Sequence, residues 1–221
     1  MTVSRALPLG QVTDKTGSEL DSGELARDLH QAGFALWSSG RYDEARRLFE
    51  RAETVARMGD ASGRIDYEGL AERLHEVGMG HLRAGRYDEA RPWFERSGRA
   101  LEEGVASGLV AHASVGRALY LVGACELHEQ RHHAAQPWFE RAAQAAARAD
   151  ARGIVDHEQL GKCLYMVGVC HARAARAEQA LPWFERATLA AERGDAYGRI
   201  HPESIFRANR ALAETRQRLG H

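Results

Sequence analysis

His75 and Glu76 stand side by side in the chain, and His30 precedes them. An imidazole beside a carboxylate, or two imidazoles facing each other, is equipment for moving a proton. Neither pair is accompanied by a nucleophile, a glycine-rich phosphate loop or an oxyanion-binding device, so no catalytic residue is assigned. An enzyme or small-molecule-binding protein using a groove of His, Tyr and Glu stands as the alternative reading. Cys125, Cys163 and Cys170 could in principle bind metal, and Cys163 lies seven residues before Cys170 on one helical stretch. No nearby His or Cys completes a ligand set, so the expectation is small packing residues, with no metal and no cofactor. His132 and His133 fall in a turn, where exposed polar residues are ordinary.

The elements that must position these residues are set by a period. Pro-Trp-Phe-Glu-Arg occurs at 92–96, 137–141 and 182–186, and a weaker copy, Arg-Leu-Phe-Glu-Arg, at 47–51. The aromatic column Phe49, Phe94, Phe139, Phe184 advances by 94 − 49 = 45 residues per step. Columns Leu29, Leu74, Leu119, Leu164, then Gly33, Gly78, Gly123, Gly168, then Ala45, Ala90, Ala135, Ala180 repeat with it. Self-similarity of this kind marks a repeat architecture. Leu74, Val77, Gly78, His81 and Leu82 have helical spacing, as do Tyr87, Ala90, Phe94 and Ser97, so each block is a helix, a tight turn and a second helix.

Small residues at 78 and 90 let the two backbones approach, with Phe94 filling the space between them. Leu20, Ile65, Val110, Val155 and Ile200 each stand five residues before an apolar partner (Leu25, Leu70, Val115, Leu160, Ile205), the spacing of a hydrophobic staple. Asp21, Asp66 and Asp156 are good N-caps, Ala111 and His201 weaker ones, and Pro202 suits a first helical turn. Pro92, Pro137 and Pro182 fall about one turn into the second helices, where a missing N–H removes at most one helix bond and bends the helix slightly.

The motif Leu-x-x-[Ala/Val]-Gly followed by Gly-x-Tyr-x-x-Ala-x-x-x-Phe, as at Leu74–Gly78 and Gly85–Phe94, resembles the tetratricopeptide repeat. The period is longer than that repeat's usual 34 residues. The surplus falls between helix pairs, at 59–66, 104–111, 149–156 and 194–201. In this the chain resembles the long-repeat variant of kinesin light chains and their bacterial relatives, which also carry a His-Pro, here His201-Pro202, and a proline early in the second helix. The resemblance implies an all-α, right-handed helix-turn-helix solenoid of four tetratricopeptide-like repeats, about 21–65, 66–110, 111–155 and 156–200, plus a C-terminal capping helix at 201–219. Residues 1–18 are expected to be a flexible lead, and 19–221 the repeat domain.

Ligands of that family lie against the first helices, which line the concave face. Carried over column by column, the face would present Arg27, His30, Phe34 and Trp37, then His75, Met79, Leu82 and Arg83. The third repeat would add Arg117, Tyr120 and His128, the fourth Tyr165, Val169 and Arg173, and the last helix Arg210. With Lys162, Arg207 and Arg218 the face carries eight cations, against the carboxylates Glu72 and Glu214, with Glu76 at its border. Arginine and aromatic residues are what interface hot spots favour, so the implied function is a non-catalytic module that binds a peptide of acidic character, an adaptor or assembly factor. Phe34 and Met79 stand where a carboxylate-clamp repeat would carry Asn, and the asparagines of the kinesin light chain groove are missing, so ligands of those proteins are not transferred.

Trp93, Trp138 and Trp183 form a further column, expected to be partly exposed on the outer side. There they would make a homodimer contact or second interface, or else fold over the inter-repeat loops. Composition bounds the rest. A net charge of −1 over 221 residues offers no field for nucleic acid, and no run is apolar enough for a signal peptide or a membrane span. An odd number of cysteines suits reduced thiols, and the expected location is the cytoplasm. Arginine outnumbers lysine 28 to 2, a codon bias of GC-rich bacterial genomes.

Overall fold

The computed structural model describes residues 21–60, 63–148, 154–195 and 202–220, and among these every regular element is a helix. The expected N-terminal lead, the staple residues Leu20 and Ile200, and the His201 cap lie outside the described residues. The helices fall into two compact units, one ending at Asp66 and the other beginning at Tyr67. The first holds α1 (Ser22–Ser38) and α2 (Tyr42–Ala56), packed as an antiparallel pair. The second holds α3 (Tyr67–Arg83), α4 (Tyr87–Ala106), α5 (His112–His128), α6 (His132–Ala146), α7 (His157–Arg173), α8 (Ala177–Asp195) and α9 (Pro202–Leu219). There each helix packs on the next, and the first helices also meet one another, α5 on α7 and α7 on α9.

Two of the expected caps are formed. Asp21 Oδ1 accepts from the Gly23 N–H at 3.0 Å, and Asp156 Oδ1 from the Gln159 N–H at 3.0 Å. Ala111 supplies no side-chain cap to α5. The second helices α2, α4 and α6 also start without a side-chain cap. The turn within each of the four helix pairs is closed by a backbone bond onto the end of the first helix, from Arg41 N–H to Leu36 O (3.0 Å), Arg86 to His81 (3.0 Å), Arg131 to Glu126 (2.9 Å) and Arg176 to His171 (2.9 Å). Closing a helix end this way needs a left-handed residue just before the donor. Gly40 (φ 81°) and Gly85 (φ 73°) supply it freely, whereas the later repeats place Gln130 and Ala175 there, both at φ 58°. A side chain in that conformation costs about 1–2 kcal/mol, partly offset by the roughly 0.5–1 kcal/mol that glycine loses in chain entropy. Gln130→Gly and Ala175→Gly should therefore each raise stability by up to about 1 kcal/mol, and Gly85→Ala should lower it. Thermal denaturation of the three variants checks both signs.

Within each helix pair the glycine column forms a seat for the phenylalanine ring. A Cβ added at Gly33, Gly78, Gly123 or Gly168 would lie 2.5, 2.7, 2.9 or 2.6 Å from Cε1 of Phe49, Phe94, Phe139 or Phe184. The alanine column beside each ring is fully buried. Successive repeats of the second unit are joined by clusters of the same composition. Ala90 and Phe94 meet Val122 and Cys125, and Ala135 and Phe139 meet Val167 and Cys170.

All three cysteines are buried free thiols. Burial pushes Cys125 and Cys170 up to about 11 and Cys163 up to about 12, so they remain protonated and unreactive at neutral pH.

The structure corrects two expectations here. Trp138 packs against the Ala90–Phe94 cluster of the preceding repeat, Trp183 packs against the Ala135–Phe139 cluster, and Trp93 is only 4% exposed. An arginine three residues on lies over each ring, Arg96, Arg141 and Arg186, at 4.5, 4.9 and 4.7 Å. Trp138 and Trp183 are therefore half-buried inter-repeat packing residues and Trp93 a buried one, each capped by a guanidinium group, so the expected row of partly exposed indoles loses its first member. The inter-repeat surplus also begins later than its glycine suggests, because α4 continues through Gly104 to Ala106. Gly104 admits Val110, whose Cγ2 would lie 2.4 Å from a Cβ there, and the helix is closed by the Leu109 N–H on Gly104 O at 2.9 Å, with Gly108 at φ 72°.

Candidate peptide-binding face

In the second unit α3, α5, α7 and α9 carry one residue set at i, i+3/4 and i+7/8, the spacing that keeps side chains on a common helical face. Its central row is aromatic. His75, Tyr120 and Tyr165, all half-buried, rest on Phe94, Phe139 and Phe184 with ring centroids 5.6, 5.3 and 5.7 Å apart. Each ring is thus held by core packing while part of it remains at the surface. Met79 and Leu82 pack against the first inter-repeat cluster, and Val169 is half-buried on α7.

Eight residues along each helix, roughly 12 Å at 1.5 Å per residue, a second row holds Arg83, His128 and Arg173. These are the last residues of α3, α5 and α7, where a cation also complements the helix dipole. Arg83 and Arg173 are exposed and have no ion pair among the described residues, and His128 stacks on Tyr87 at 4.3 Å. Four other cations of the face are paired. Arg117 lies 3.7 Å from Asp156 and Arg210 lies 2.8 Å from Glu214, while Lys162 meets Glu158 and Arg207 meets Glu203. The excess is therefore smaller than the eight cations suggest: Asp156, Glu158 and Glu203 stand outside the tallied columns yet pair with Arg117, Lys162 and Arg207.

At the C-terminal end a pocket of about 500 Å³ opens between Tyr165 on α7 and Phe206, Arg207, Arg210 and Glu214 on α9. Phe206, 64% exposed, was missed by the column argument because its equivalents Ala71, Gly116 and Gly161 are small and face their own second helices.

In the first unit the matching columns diverge. Arg27 is exposed, while Phe34 and Trp37 are half-buried and pack on Phe49 at 5.1 and 6.3 Å. His30 is 7% exposed, held between Phe34 (4.9 Å) and Phe49 (5.4 Å), so it is a core ring rather than a groove residue, which corrects its assignment. The sequence alone missed Glu126, 6% exposed, which joins Arg131 while Arg131 also reaches Asp88 at 2.6 Å and Arg91 Nε lies 3.3 Å away. That network ties α4, α5 and the start of α6 together beneath the face; its one sequence signal is an acid in the column of His81 and His171.

Burial holds the His75 imidazole below its ordinary value of 6.5, against the opposing pull of Glu76 and Glu72. Burial, reinforced by Arg176, also lowers His171. The unfolded chain therefore takes up protons near pH 6.5 that the folded chain refuses, so this part of the stability is complete above that pH and declines as pH falls below it. Melting temperature should drop between pH 7 and pH 5, and the drop should shrink in His75→Tyr, the residue its column carries in the next two repeats, with circular dichroism as the measurement.

Among the described residues no group of three His, Cys, Asp or Glu could hold a metal ion, and no helix is long and apolar enough to cross a membrane. The family model for the tetratricopeptide repeat matches residues 29–103. No curated protein sequence matches the chain. Solved structures do. BtubC (BKLC) from P. vanneervenii is 17% identical with a TM-score of 0.60, covering 90% of this chain and 74% of its own. A kinesin light chain from Podosopora anserina with nearly identical TPR-like repeats is 13% identical with a TM-score of 0.55, covering 91% and 90%. Aspartyl phosphate phosphatase F from Bacillus subtilis is 18% identical with a TM-score of 0.56, covering 90% of this chain but 47% of its own.

Proposed function

We propose that this chain, a tetratricopeptide repeat protein by its motif and its fold, is a non-catalytic interaction module, an adaptor or assembly factor, that binds a peptide segment of acidic character on its first-helix face. One observation carries the reading. The ring row His75, Tyr120, Tyr165 runs beside the cation row Arg83, His128, Arg173, on elements fixed by the core. Rings seated on other rings lose little further freedom on binding and offer flat apolar area, while arginines without carboxylate partners among the described residues supply directional donors; together these are the anchors interfaces use. The peptide would cross the helices, laying apolar side chains on the rings and carboxylates toward Arg83 and Arg173. The pocket at Tyr165, with Arg210 at its rim, would take one end of it. Arg117, Met79, Leu82 and Val169 complete that surface, and Arg27, Phe34 and Trp37 offer similar chemistry on α1. Three buried, reduced thiols accord with a cytoplasmic setting.

Twelve-residue random peptides displayed on phage and selected on the full chain test the reading. Enriched sequences should combine aromatic or aliphatic residues with Asp or Glu, and should lose at least tenfold in affinity to Tyr165→Ala and to Arg173→Glu. Enrichment of peptides indifferent to both substitutions would remove the proposal.

A further inference from the structure

A second pocket, of about 360 Å³, lies among α4, α5 and α6. It uses the flank of α5 that carries Val115 and Leu119, not the one that carries Tyr120 and His128. Its floor is aliphatic, made by Val105, Val115, Leu119 and Ala145, and its rim is polar, made by Glu102, His112, Arg141 and Arg148. The volume is at the small end for ligand sites and matches one or two side chains rather than a cofactor.

The rim charges do not cancel. Arg141 is committed to Glu102 at 2.6 Å and to the Trp138 face at 4.9 Å. Arg148 has no carboxylate among the described residues. Its Nη1 lies instead 3.5 and 3.4 Å from the two ring nitrogens of His112, a group that can only add positive charge. Between Ala106 and His112 runs the turn closed by Gly104 and Gly108, and on it Leu109 is 56% exposed although its backbone is held by the bond to Gly104. An aliphatic hollow, an exposed apolar side chain on the adjoining turn and a guanidinium with no carboxylate among the described residues make a surface suited to being covered.

We infer that this pocket docks a segment of a partner protein in which a leucine-sized side chain enters the hollow and an aspartate or glutamate one or two residues away pairs with Arg148. The charge selects that occupant: a basic segment would be repelled by Arg148 and His112, and a purely apolar one would bury the guanidinium without a counterion. The site lies on a different face from the ring row and would serve a different partner segment.

The test uses the full chain and phage-displayed random 12-mers, with counter-selection against Gln144→Trp. Gln144 is an exposed residue of the pocket wall, so an indole there fills the hollow from its edge. The expected result is a class of peptides with an apolar residue closely followed by an acid. Their binding should vanish in Gln144→Trp, weaken at least tenfold in Arg148→Glu, and stay unchanged in Tyr165→Ala. Arg148→Glu alters an exposed side chain and keeps the test valid if the tryptophan variant melts early. No peptide class sensitive to these two substitutions, or a class that tolerates Arg148→Glu, would overturn the inference. Concentration-dependent dimerisation abolished by Gln144→Trp would also overturn it, by assigning the pocket to a second copy of the chain. Failure of the ring-row proposal would show separately, as selected peptides indifferent to Tyr165→Ala.

Discussion

Phe139→Ala is expected to destabilise the second unit by about 3–5 kcal/mol, the range for deleting a buried aromatic ring. Phe139 is completely buried, lies in the cluster of Ala135, Val167 and Cys170, supports the Tyr120 ring at 5.3 Å and fills the hollow left by Gly123. Four different neighbours lose contacts at once, and the glycine cannot close the gap because it has no side chain to move. In a repeat stack stability is carried by each repeat and its interfaces with the next, so the loss should spread from α5 and α6 into α7. Urea denaturation followed by circular dichroism measures the change. A loss below about 1 kcal/mol would mean the ring is not the keystone of its repeat.

The second large effect is Gly123→Ala, whose direction runs against helix propensity. Alanine is better than glycine in a helix interior by about 1 kcal/mol. The new Cβ, however, would stand 2.9 Å from Cε1 and 3.0 Å from Cδ1 of Phe139, a ring with no free space to retreat into. Overpacking of this kind costs about 1–3 kcal/mol, so the net expected change is a loss of up to about 2 kcal/mol. The double variant Gly123→Ala, Phe139→Leu separates this from a backbone effect. The shorter side chain removes the ring atoms in conflict, so the two losses should be clearly less than additive. Strict additivity would show that the glycine is needed for some other reason.

These two residues also show how much was legible beforehand. Gly123 and Phe139 repeat on the same period in four blocks, so the helix pairs, their tight turns and the ring-on-glycine contact could be read from columns alone. What escaped was anything that depends on which neighbour a column meets. The tryptophans were assigned outward because each precedes a core phenylalanine, yet Trp138 and Trp183 turn toward the previous repeat, a direction no single-helix pattern encodes. His30 and His75 share a column, but Phe34 covers the first while the second keeps part of its ring at the surface. The charge of the face was overstated for a related reason. Glu158, Glu203 and Asp156 belong to columns that a helix-by-helix reading places elsewhere, and their side chains reach back to Lys162, Arg207 and Arg117. Long flexible pairs of this type contribute little stability, but they decide which cations are left to meet a partner.

Backbone amide hydrogen exchange of the full chain, with and without a peptide selected as above, tests the central claim most directly. The account predicts slowed exchange on α5 and α7 around Tyr120 and Tyr165, with a smaller effect on α3 around His75 and on α9 around Arg210. The second helices α4, α6 and α8 should be unchanged by a peptide that competes for the ring row. Protection confined to those second helices would contradict it, because the bound segment would then lie on the opposite side of the helix pairs.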